Sequence, residues 1–161
     1  MELPKTLITE TTLTSTVTTI EITSGIDASY NSYEFLVMNG RTNVTSYTNF
    51  LIGQSGTYSF RYNSISRFGN NYNFNGYYGP YITNVGGANL LLRAVFSRPS
   101  GSSYYKTVFV HGGSNNFNNT YSSGIVLAET TQSTAAVDRV RLTVSGGSWL
   151  AGTRYKLYGY E

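Results

Sequence analysis

The sequence predicts an all-β chain folded as a single-domain antiparallel β-sandwich of jelly-roll type. Apolar residues recur with period two along most of its length, and nowhere do they hold the 3.6-residue spacing of an amphipathic helix for two turns. The alternating runs are short and separated by Asn, Gly, Ser and Pro turn signals, the pattern of a sandwich or barrel. No internal repeat argues for a propeller or β-helix. With 161 residues the chain is long enough to bury one core without staples, so residues 1–161 are read as one domain.

The elements follow in order. Lys5 to Glu10 and Thr16 to Thr23 open the chain, and the segment from residue 1 to about 14 is expected to be a strand or arm lying against a neighbour. Thr23-Ser24-Gly25-Ile26-Asp27 reads as a turn: Gly25 tolerates positive φ, Asp27 bonds its own backbone, and Ile26 plugs the sheet end. Tyr33 to Asn39, Tyr47 to Gly53 and Tyr58 to Arg67 come next. In Asn89 to Phe96 the unbroken Leu90, Leu91 and Leu92 suggest a central strand covered on both sides, with a neighbouring subunit as a candidate cover and Arg93 in need of a partner. Pro99, Ser100 and Gly101 end that strand by turn chemistry. Tyr104 to His111 and Gly124 to Thr130 precede the clearest strand, Val137 to Val144. There Val140, Leu142 and Val144 share one face, and Arg139, Arg141 and Thr143 the other. Thr153 to Gly159 closes the chain after a tight loop that carries Trp149, the sole tryptophan.

Composition excludes several function classes. The chain has no cysteine, so disulfides and thiolate chemistry are ruled out. Charged residues make up only 12%, about half the usual share, and neutral polar residues with 15 tyrosines fill the surface positions. The net charge of +3 comes from scattered basic residues without a tract, which argues against nucleic acid. The N-terminus lacks the basic start and apolar run of a signal peptide, and no stretch approaches the ~20 apolar residues of a membrane helix. No cofactor is implied.

The chemistry-bearing residues do not assemble into a catalytic pattern. The eight acids are dispersed, and Glu34 with Glu129 is the pair a sandwich could bring together for glycosidic chemistry. His111 is the only histidine, without a G-x-S-x-G elbow or a second metal ligand nearby, and reads as a strand-end residue bonded to a loop. Gly112-Gly113 and Gly86-Gly87 join strands, whereas a phosphate loop must open a helix. Asp27 alone cannot supply the oxygen ligands of calcium. Neither an enzyme nor a metal site is expected.

Binding residues are more evident. Tyr72, Phe74, Tyr77, Tyr78 and Tyr81 crowd the loop Gly69 to Tyr81, and Phe117 and Tyr121 lie in the segment Gly112 to Ser123. Aromatic rings among Asn side chains suit contact with another subunit or stacking against a sugar. Leu90, Leu91, Leu92 and Trp149 are the candidate seam between subunits, with Trp149, next to Leu150 in a tight loop, assigned to the core or to that seam.

Two stretches carry a family resemblance. One is the opening LPKTLITETTLTSTVTTIEITSGIDASYNSYEFLVMN, centred on Ile20-Glu21-Ile22-Thr23-Ser24-Gly25-Ile26-Asp27 and followed by Tyr30, Tyr33 and Phe35. The other is the ending, with Val137-Asp138-Arg139-Val140-Arg141-Leu142, Ser145-Gly146-Gly147, Gly152 and Lys156-Leu157-Tyr158-Gly159. Together they resemble small β-rich virion structural proteins of tailed bacteriophages, a group that includes capsid decoration and tail fibre-like proteins. The resemblance implies a non-enzymatic virion protein, assembled in the bacterial host cytoplasm, and does not choose between capsid and tail. With strand residues following almost directly on Met1 and no shaft or coiled coil ahead of them, a capsid decoration or cement protein that stabilises the particle is expected. It implies a homotrimer held to the major capsid protein or to tail proteins. The alternative it leaves is a tail-associated receptor-binding protein that recognises a host surface glycan.

Overall fold

A computed structural model describes residues 4–44, 46–54, 57–58, 61–63, 66–68, 71–73, 81–84, 89–97, 99–103, 106–115, 125–130 and 134–161. All regular structure among them is β. The strands are β1 (Lys5–Thr12), β2 (Thr19–Ile22), β3 (Ser32–Gly40), β4 (Ser46–Gln54), β5 (Thr57–Tyr58), β6 (Arg61–Asn63) and β7 (Ser66–Phe68). They continue as β8 (Asn71–Asn73), β9 (Tyr81–Asn84), β10 (Asn89–Ser97), β11 (Thr107–Asn115), β12 (Ile125–Thr130), β13 (Arg139–Val144) and β14 (Arg154–Tyr160).

Every pairing is antiparallel. A nine-stranded sheet runs β1-β14-β3-β10-β11-β12-β7-β8, with β6 also on β12. A five-stranded sheet runs β2-β13-β4-β5, with β9 also on β4. Successive strands β1 to β4 alternate between the sheets, as do β12, β13 and β14, which gives the expected antiparallel sandwich.

Alternation decides which side chains fill the interior. From the large sheet come Tyr33, Phe35 and Val37 of β3, Leu90, Leu92, Ala94 and Phe96 of β10, Val108 and Val110 of β11, and Leu157 of β14. From the small sheet come Ile20, Ile22, Phe50, Ile52, Val140, Leu142 and Val144. The Tyr33 and Phe96 rings, on paired strands, stack with centroids 5.6 Å apart. Phe35 meets Phe50 of the opposite sheet at 5.6 Å, one of the contacts that joins the layers.

The Gly25 turn forms as its sequence predicts. Gly25 takes φ 78°, and a Cβ there would come within 2.6 Å of Ile8 Cγ2. The Ser29 N–H donates to Asp27 Oδ1 at 2.8 Å, the Asp27 N–H donates to the Tyr33 hydroxyl at 2.9 Å, and Ile26 is buried. The hydrogen bonds from Ser29 hold the Asp27 carboxyl below its ordinary pKa. Asp27 is thus a turn residue that fastens the start of β3.

Several expectations are corrected. Tyr58 to Arg67 is not one strand: it divides among β5, β6 and β7, which belong to different sheets. The stretch Gly69 to Tyr81, read as a loop, contains β8. Within this chain the Leu90 to Leu92 run is covered on one side only: Leu90 and Leu92 point into the core while Leu91 remains 54% exposed. His111 does not end its strand, since β11 continues through Gly112 and Gly113 to Asn115.

Candidate functional site

The outer face of the nine-stranded sheet is where the described residues gather exposed apolar and ionic groups. Strand alternation puts Leu36 and Glu34 of β3, Leu91, Arg93 and Val95 of β10, and Phe109 and His111 of β11 on this face. Cross-strand register arranges them in rows. One row reads Leu7, Tyr158, Glu34, Val95, Phe109 from β1 to β11, and the next reads Glu10, Lys156, Leu36, Arg93, His111. Leu91 and Phe109 are each more than half exposed although they sit on strands inside the sheet, where a large apolar side chain has neighbours on both sides.

Glu34 is the hub of the face. Its side chain is 5% exposed, yet it does not reach the core: the side chains around it cover it. Arg93 Nε donates to Oε1 at 2.5 Å, Lys5 Nζ lies 3.5 Å from Oε2, and the Tyr160 hydroxyl donates to Oε2. Lys5 also sits 4.1 Å from the centroid of the Tyr158 ring, a cation–π contact that places its ammonium at the rim of the network. Burial pushes the Glu34 carboxyl upward, but the hydrogen bonds from Tyr160 and Arg93 and the charges of Arg93 and Lys5 outweigh it and hold the pKa below its ordinary value. Burial and the Glu34 carboxylate together raise the Tyr160 hydroxyl. A second cluster on the face joins Glu10 to Arg154 and, at 3.2 Å, to Lys156.

This arrangement binds and stiffens; it does not make an acid–base pair. Glu34 is ionised, saturated by donors and screened from solvent, so it is poorly placed to take or give a proton. Glu129 lies on β12, three strands from β3, about 14 Å away at roughly 4.8 Å per strand. The glycosidase pair considered from sequence therefore does not form, since such carboxyls stand about 5–9.5 Å apart. Among the described residues no group of three or more His, Cys, Asp or Glu could hold a metal.

The sequence-predicted site residues are scattered. Leu90, Leu92 and Trp149 are core residues of this chain, fully enclosed by it, so they are not available as a subunit seam, and Leu91 alone of that set reaches the surface. Trp149 lies where the loop before β14 crosses the sandwich: its backbone pairs with Val17 in both directions, and its indole N–H donates to the Leu142 carbonyl at 3.3 Å. Tyr72 belongs to β8 in the large sheet and Tyr81 to β9 in the small one, so the two ends of the aromatic stretch separate. Phe74, Tyr77, Tyr78, Phe117 and Tyr121 lie outside the described residues.

Sequence reading missed Phe109, Glu34 as a hub, and Lys106. The period-two pattern of Thr107 to Val110 held a signal for the first, because Phe109 stands between Val108 and Val110 and so must face outward. Lys106 gave none. It looks like one more scattered base, yet it is buried, donates to the carbonyls of Gly101 and, at 3.1 Å, Thr134, and has its pKa lowered by burial.

No protein-family model matches the chain, and no curated protein does. Among solved structures it is similar to the galectin LEC-6 of Caenorhabditis elegans, at 13% identity over 92% of this chain and 94% of that one, with a TM-score of 0.40. It is also similar to a putative DNA-binding protein of Ralstonia eutropha JMP134, at 10% identity over 78% and 76%, with a TM-score of 0.30. At these scores neither neighbour bears on function.

Proposed function

We propose that this chain is a non-enzymatic structural protein of a tailed-phage virion, a capsid decoration protein that adds to the stability of the particle. The observation that carries the reading is where the two resembling stretches fall. They are far apart in sequence, yet β14 lies between β1 and β3, and β13 pairs with β2. The opening and closing motifs thus form one contiguous block, with the dissimilar middle of the chain inserted between its halves, as a shared scaffold with a variable insert would require. The outer face, whose described carboxylates are committed to ion pairs and whose exposed large apolar side chains among the described residues are Leu7, Leu91 and Phe109, suits adhesion better than turnover. Purified protein is expected to bind expanded capsids and raise their melting temperature. Failure to bind, with the protein found instead on tails, would overturn the assignment.

Phe109 favours a second reading, a host-glycan adhesin. An exposed ring with His111 two residues along its strand, and Arg93 opposite that histidine, offers a stacking surface beside hydrogen-bond donors, a combination that suits a sugar ring. Binding on an array of host surface polysaccharides that disappears in Phe109→Ala would support it, and an array without signal would remove it.

A further inference from the structure

β1 is the outermost strand of the nine-stranded sheet. One side pairs with β14, and among the described residues no strand pairs with the other. Such an edge presents unpaired backbone N–H and C=O groups, and proteins usually blunt it by shortness, proline, charge or a bulge. β1 is eight residues long, contains no proline, and exposes 48% of Leu7 in its middle. Its only irregularity is the register shift between Leu7 and Thr9, where Ile8 is the extra residue.

We propose that β1 is a self-association edge: two copies of the chain pair antiparallel through β1, with Leu7 on the two-fold axis, so that their large sheets become one. The facing of the side chains selects the register. Lys5, Leu7, Glu10 and Thr12 pair with Tyr160, Tyr158, Lys156 and Arg154 and share the outer face, while Thr6 and Thr9 pair with Gly159 and Leu157 and share the inner one. A dimer strand pair must match outer with outer and inner with inner. Centred on Leu7, it sets Thr6 against Thr9 of the second copy and Lys5 against Glu10 of the second copy, each twice. The two Ile8 bulges fall symmetrically about the axis and keep the faces in step. Centring on Glu10 would oppose two carboxylates, and centring on Thr9 would oppose Leu7 to Glu10. Only the Leu7 register joins like with like at the axis and opposite charges on its flanks, the self-complementarity that an isologous contact demands.

The absence of cysteine makes the test direct. Directly opposed residues in an antiparallel pair have Cα atoms about 4.5–5.5 Å apart, within the range a disulfide spans. Mild oxidation of the full chain carrying Leu7→Cys is therefore expected to give a covalent dimer, while Leu91→Cys, equally exposed but in the middle of the sheet, stays uncoupled. Sedimentation of the wild-type chain across concentration is expected to show a monomer–dimer equilibrium, and Leu7→Lys to weaken it at least about tenfold with an unchanged circular dichroism spectrum. A monomer or a trimer at all concentrations, cross-linking through Leu91→Cys in preference to Leu7→Cys, or a Leu7→Lys dimer of undiminished affinity would each overturn the proposal. None of these readouts involves a capsid, so a failure here and a failure of the decoration assignment are separable.

Discussion

At the scale of single residues, Glu34 illustrates what long-range structure adds to a sequence. In the linear chain it is one acid among dispersed acids. Its partners Lys5, Arg93 and Tyr160 come from 29, 59 and 126 positions away, so no local spacing could reveal the network. Because its folded pKa lies below the ordinary carboxylate value of 4.5, the carboxylate contributes its full stabilisation above that value and loses it as pH falls through the folded pKa. Glu34→Gln is expected to lower stability at pH 7 by about 1–2 kcal/mol, since the exposed Arg93 and Lys5 regain water when their partner is neutral. The variant should also show a shallower fall in melting temperature on acidification than the wild type, with the two curves converging at low pH. Thr48 is the opposite case. It is buried, and its hydroxyl has no hydrogen-bond partner among the described residues. Thr48→Val keeps the shape and removes the stranded polar atom, so urea unfolding should register a gain of about 1 kcal/mol.

At the scale of elements, alternation was the legible signal, and it was read well where the strand was half-buried. Arg139–Val144 shows it most plainly: Val140, Leu142 and Val144 are buried and the intervening residues only partly so. Reading failed on β10, where three consecutive leucines erased the contrast between faces. The strand is an ordinary alternating one whose outward Leu91 happens to be apolar. The two neighbouring leucines should therefore respond very differently to the same change. Leu92→Ala is expected to cost about 2–5 kcal/mol, and Leu91→Ala to remain within about 0.5 kcal/mol of wild type. Equal losses in denaturant titrations would restore the picture of a strand covered on both sides. The division of Tyr58 to Arg67 among three short strands was illegible for another reason. Period two specifies that residues are extended, not which sheet receives them, and that choice depends on partners elsewhere in the chain.

At the scale of the whole molecule, the sandwich and its single core were readable because the interior residues of both sheets announce themselves by type and period. The outer face was not, since exposure on a sheet depends on what the neighbouring strands carry. Trp149 gives the global state a built-in reporter: it is the sole tryptophan and fully buried, so its emission should shift to the red in one step with loss of the β signal in circular dichroism. A shift that precedes loss of strand structure would mean that the loop before β14 opens separately from the sandwich. The pairing of β1 with β14 has a mechanical consequence. Lys5 stands opposite Tyr160 and Thr12 opposite Arg154, so β1 begins and β14 finishes at the same end of one antiparallel ladder. Tension applied between the two ends would load that ladder perpendicular to the strands and peel its hydrogen bonds one rung at a time, without shearing them together. The molecule should yield at low force when drawn by its two ends.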